Sequence, residues 1–83
     1  MTAIPTPSVA DIEAWKVNEV VEHLRCVYPS HLTEDEFDLF LNHKIDGQVF
    51  LSLTRADLRE MGMVIGTTKK ILAEIERLKG TYL

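Results

Sequence analysis

The sequence predicts an all-α fold: apolar residues recur at three- and four-residue spacings, helix-capping pairs punctuate them, and no stretch alternates as a strand would. With 83 residues and 46% apolar content, one domain with one modest core is expected. So short a chain has little room for a deep substrate cleft beside that core, which favours surface binding over catalysis. The net charge of −4 argues against a nucleic-acid partner, whose phosphates call for lysine and arginine. Cys26 is alone, so no intrachain disulfide can form, and a reducing compartment is expected. No apolar run approaches the ~20 residues needed to cross a bilayer. Met1 to Val9 lacks the basic-then-apolar pattern of a secretion signal, so cytoplasm or nucleus is the expected compartment.

Residues 1–13 read as a flexible tail, because Pro5 and Pro7 oppose a helix and Thr2, Thr6 and Ser8 add turn character. The domain is expected over 14–80, with 81–83 as a short C-terminal end. Val17, Val20, Val21, Leu24, Val27 and Tyr28 line one helical face that Pro29 stops. Lys16 stands at that helix's cap, a poor choice beside the positive dipole end. Thr33-Glu34-Asp35-Glu36 is a capping box that opens a second helix with Phe37, Phe40 and Leu41 inward and Leu39 off that face. Ile45-Asp46-Gly47 breaks the pattern: Gly47 can take a positive φ, and Asp46 can cap a single turn that buries Phe50 and Leu51. Thr54, with Asp57 three residues on, opens a fourth helix that Gly62 ends. After an apolar link, Met63-Val64-Ile65-Gly66, the longest helix is expected over Thr67 to Lys79, with Ile71, Leu72, Ile75 and Leu78 inward and Gly80 as its C-terminal cap.

Taken together, Trp15, Leu24, Phe40, Ile45-Asp46-Gly47, Phe50-Leu51-Ser52-Leu53-Thr54, Asp57-Leu58, Met61-Gly62, Gly66 and Lys70-Ile71-Leu72 resemble, in order and spacing, the sterile alpha motif. The likeness runs from Trp15 to about Lys79. It implies a compact five-helix bundle with a long C-terminal helix, used for protein–protein association in signalling or scaffolding proteins. Trp15, Gly47 and Gly62 are then structural: the tryptophan packs under the end of the last helix, and Gly62 and Gly66 flank a link that crosses close over the core.

Charge is unevenly spread, with seven acids against three bases over residues 34–60 and four bases against two acids over 61–83. Sterile alpha motifs commonly pair through a central acidic surface and a basic one at the N-terminus of the fifth helix. The resemblance therefore implies a protein-binding role for Asp46, Asp57 and Glu60, with Glu36 and Asp38, on the first surface. On the second it implies Gly66, Thr67, Lys69 and Lys70. The second surface also follows from helix physics, since an opening turn offers unpaired amides and positive dipole, and two lysines add full charge. Met63, Val64 and Ile65, if exposed, would supply an apolar centre. A plain solvated face is the competing reading of Lys69 and Lys70. Because the two surfaces differ, association would be head-to-tail, between copies or with another sterile alpha motif.

Other classes find less support. RNA-hairpin binding through Lys69, Lys70 and Lys79 is interrupted by Glu74 and Glu76. His23 and Cys26, with His31 and His43, lack the four spaced ligands of structural zinc, so Cys26 reads as a small, partly buried hydrophobe and the histidines as surface residues. Ser52 and Thr54 read as a loop hydroxyl and a cap, and no nucleophile elbow, phosphate loop or zinc-protease motif exists. No catalytic residue, metal or cofactor is expected, and no membrane partner.

Overall fold

A computed structural model describes residues 7–80, which form six helices and, among the described residues, no strand. These are α1 (Val9–Glu13), α2 (Val17–Val27), α3 (Glu34–Asn42), α4 (Gly47–Ser52), α5 (Arg55–Met61) and α6 (Ile65–Leu78). All six enclose one core that includes Val20, Leu24, Phe40, Phe50, Leu58 and Ile71.

The first helix corrects the expectation of a tail over 1–13. Ser8 and Asp11 form a reciprocal cap: the Asp11 amide donates to Ser8 Oγ at 3.1 Å and the Ser8 amide to Asp11 Oδ2 at 3.3 Å. Pro7 lies outside the helix, where a proline does no harm. Ile12 is wholly buried, and α1 packs on α4. Residues 1–6 and 81–83, the rest of the expected tail and the C-terminal end, lie outside the described residues.

That contact explains Gly47 differently from a turn requirement. Gly47 has no positive φ; it opens α4, and its amide donates to the Trp15 carbonyl at 3.0 Å. A Cβ there would lie 1.6 Å from the Ile12 carbonyl oxygen. Closeness, not dihedral freedom, demands glycine. The left-handed residue of this turn is Lys44, φ 54°, at the end of α3, where the Ile45 amide reaches back to the Phe40 carbonyl at 3.0 Å.

Capping otherwise follows the residue types. At α2, Lys16 has no side-chain oxygen to offer, and the Lys16 amide donates to Glu19 Oε1 at 2.9 Å. Asp46 Oδ1 accepts from the Val49 amide at 3.1 Å, and Thr54 and Asp57 exchange hydrogen bonds at 3.0 and 3.2 Å. Gly62, φ 93°, ends α5, and Gly80, φ 74°, follows α6. In α3 the buried face centres on Phe37 and Phe40 and turns toward Glu36, which meets α6. Leu41, expected inward, is therefore exposed, and Leu39 packs against the core.

α6 begins at Ile65, two residues earlier than expected, and Gly66 sits inside its first turn. A Cβ on Gly66 would meet nothing within 4 Å, so no close crossing requires glycine there. Two side chains tie α6 to α2. The Tyr28 hydroxyl donates to the Lys70 carbonyl at 2.9 Å, and His23 Nε2 donates to Glu74 Oε2 at 2.5 Å. Trp15, placed by the sequence under the end of α6, is half-buried with its ring tilted against His23 at 5.0 Å. It packs against the core, and His23 in turn meets Glu74 of α6.

Candidate protein-binding surfaces

The basic end is built where α5 turns into α6. Gly62 reverses the chain, and Val64 takes the N-cap position of α6 with extended backbone and no side-chain oxygen. The opening amides of this 14-residue helix therefore lack the side-chain cap that serves α1, α3, α4 and α5. Val64 is 62% exposed and Ile65 76%. Gly66 beside them is exposed, as is Lys69, and Lys70 is half-buried. Neither lysine side chain forms an ion pair or hydrogen bond with a described residue. The acid placed to compete for them, Glu74, is committed elsewhere.

Two residues expected on this surface are not on it. Met63 is 8% exposed and belongs to the core. Thr67 is buried, and its hydroxyl donates to Glu36 Oε2 at 2.7 Å. That bond also removes Glu36 from the acidic surface, because its other oxygen already takes the Thr33 amide at 2.9 Å. Helical spacing could not show this: Thr67 and Glu36 meet only because α6 crosses α3.

The acidic side chains are spread along α3 to α5. Asp38 and Glu60 are exposed and form no hydrogen bond or ion pair with described residues. Asp46 and Asp57 are spent in part on their caps. Glu34 is paired: Arg25 grips its carboxylate with two bonds of 2.7 and 2.8 Å while lying 4.3 Å over the Phe37 ring. The hydrogen bond from Arg25 holds the Glu34 carboxyl below the ordinary range.

Glu74, read from the sequence as a surface acid, has a side chain only 2% exposed. Burial alone would raise its carboxyl, but hydrogen bonds from Arg77 at 2.7 and 2.8 Å and from His23 outweigh it and hold the group below its usual range. His23 is thereby half-buried and engaged, contrary to the expectation of a surface histidine, whereas Cys26, expected partly buried, is exposed. Among the described residues no group of three or more histidine, cysteine or acidic side chains is arranged to hold a metal ion. No helix among them is long and apolar enough to cross a membrane.

Sequence reasoning also missed part of the basic end. Arg55 and Arg59, one turn apart on α5, line a cleft of about 150 Å³ together with Met63, Ile65, Thr68 and Lys69. Their four-residue spacing is visible in the sequence, but a charge count over residues 34–60 places them within an acidic region.

A small helical module whose exposed features are charged surfaces and an apolar helix opening belongs among the interaction domains. A family model described as a SAM-like domain matches residues 1–77, and the chain belongs to that family. Such domains are generally protein-interaction modules without catalytic machinery. The chain is similar to diacylglycerol kinase eta of Drosophila melanogaster and of Drosophila sechellia, 40% identical over 65 residues, and to that of Drosophila ananassae, 38% identical over 65 residues. Each match covers 77% of this chain and 3% of the relative, so the chain spans about 3% of the length of these kinases. No solved structure matches it.

Proposed function

We propose that this SAM-like domain binds a second SAM-like domain, its own copy or a relative's, head-to-tail. The α6 opening is the basic and apolar side, formed by Val64, Ile65, Gly66, Lys69 and Lys70. The complementary side is acidic, formed by Asp38 and Glu60 with the outer edges of Asp46 and Asp57. The observation that carries this is the uncapped first turn of α6 beside two bulky exposed aliphatic side chains and an unpaired lysine. Free amides, helix dipole and cations all favour a carboxylate there, and Val64 with Ile65 offers apolar area that charge alone would not. The likeness to a small segment of diacylglycerol kinases supports a setting within a larger signalling protein, in the cytoplasm or nucleus, where the module tethers.

Size-exclusion chromatography with light scattering, over protein concentration and salt, tests this. Lys69→Glu/Lys70→Glu and Asp38→Lys/Glu60→Lys disable one side each and leave the Asp57 cap intact. Each variant alone is expected to be monomeric and a mixture of the two dimeric, because every copy retains one working side. If wild type and both variants stay monomeric at high concentration and low salt, self-association is refuted and the partner must be a different SAM-like domain. If the mixture stays monomeric while wild type associates, the assignment of the surfaces is wrong.

A further inference from the structure

The cleft between α5 and α6 has a feature that contact between two acidic and basic faces does not explain. Thr68, which lines it, is only 7% exposed, yet its hydroxyl has no hydrogen-bond partner among the described residues. No sealed side-chain oxygen or nitrogen among those residues is left without a partner, so this hydroxyl reaches solvent, and the residue that carries it lines the cleft. Its neighbour Thr67 shows the alternative, with its hydroxyl spent internally on Glu36. Around Thr68 stand Arg55, Arg59 and Lys69, none bonded or ion-paired to a described residue, and the apolar flanks of Met63 and Ile65.

We propose that this cleft binds a phosphomonoester, carried on a phosphorylated side chain of a protein partner that docks on the α6 opening. The inference rests on that opening being a protein-binding face and names the chemistry of what it receives. Two guanidinium groups on one helical face and an ammonium carry more positive charge than a single carboxylate neutralises, and with the hydroxyl they suit a dianion with three acceptor oxygens. A volume of about 150 Å³ admits the end of a side chain and excludes a folded element. Asp57 and Glu60, exposed on the same short helix, oppose a broad anionic surface such as a bilayer or an RNA backbone. Ile65 at the rim offers apolar contact to the chain that bears the phosphate.

The test is a two-dimensional amide NMR titration of the whole chain with phenyl phosphate at low ionic strength, above about pH 7 where the ester is mostly dianionic. Saturable shifts are expected at Ile65, Thr68 and Lys69 and at the Nε–H of Arg55 and Arg59. Thr68→Val, which keeps the shape, and Arg59→Gln, at an exposed site, should each weaken binding about tenfold with the rest of the spectrum unchanged. Equal shifts with benzoate would make the cleft a carboxylate site and overturn the proposal. Inorganic phosphate binding as tightly as the ester would assign it to the free ion, with the same consequence. Binding to phosphatidylserine vesicles or to an RNA hairpin that Arg55→Gln/Arg59→Gln abolishes would hand it to a membrane or to RNA and also overturn it. Absent shifts with phenyl phosphate, while the charge-reversed variants still pair, would remove this inference alone. Phosphate binding without any pairing would instead remove self-association and leave this inference standing.

Discussion

Gly47→Ala is expected to be the most damaging single-methyl change in this domain. The added Cβ would sit 1.6 Å from the Ile12 carbonyl oxygen, 2.8 Å from its carbon and 3.1 Å from Trp15 Cβ. The two nearest obstacles are backbone, so no rotamer change relieves them, and α1 must move off α4. Overpacking of this kind costs about 1–3 kcal/mol. The Gly47 amide also loses the Trp15 carbonyl, worth about 1 kcal/mol, and Ile12 gives up part of a burial worth about 1.5–3 kcal/mol. Alanine's better helix propensity returns at most about 1 kcal/mol. The net is a loss of about 2–5 kcal/mol, from a total near 4–12 kcal/mol for a chain of this length. Urea unfolding followed by Trp15 fluorescence and far-ultraviolet circular dichroism reads it directly, and the melting temperature should fall by at least ~10 °C. Ile12→Ala should cost about 2–5 kcal/mol alone. The double variant should cost less than the two together, because both release the same helix. An unchanged urea midpoint in Gly47→Ala, or a neutral Ile12→Ala, would show that α1 does not hold this contact.

Three further outcomes follow from backbone and buried charge. Lys44→Gly, at φ 54°, should stabilise by up to about 1 kcal/mol in the same urea assay, since a side chain in the left-handed region costs about 1–2 kcal/mol. Gly62→Ala, at φ 93°, should destabilise by about 1 kcal/mol or more, whereas Gly66→Ala, inside α6 with open space around it, should stabilise by about 0.5–1 kcal/mol; equal effects at the two glycines would contradict the placement of the helix start. The Glu74 carboxyl is held below its unfolded value, so its stabilisation is present above the unfolded value near pH 4–5 and is lost as pH falls through the folded one. Glu74→Gln should lower stability by about 1–3 kcal/mol at pH 7, removing the buried negative charge that Arg77 and His23 meet, and should flatten the acid limb of the stability profile; an unaltered limb would mean that another carboxylate sets it.

Local chemistry accounts for what was legible in the sequence. The caps at Thr33, Asp46 and Thr54 and the left-handed stops at Gly62 and Gly80 are satisfied within three or four residues of themselves, so their residue types announce them. The apolar faces of α2 and α6 are likewise written in a 3.6-residue period. Ser8 and Asp11 carried the same signal as Thr33 and Glu36, but the neighbouring prolines masked it. Contacts between distant segments had no such signature. That Gly47 faces the backbone of Ile12, that Glu36 receives Thr67, and that Glu74 is buried between His23 and Arg77 are consequences of how helices cross. For the same reason the two arginines of α5, which a charge count assigned to an acidic region, stand with Lys69 around Thr68. A linear sequence specifies which faces are apolar and where helices stop; which polar side chains face one another across those stops depends on the angle and depth of packing, and these exist only once the core has closed.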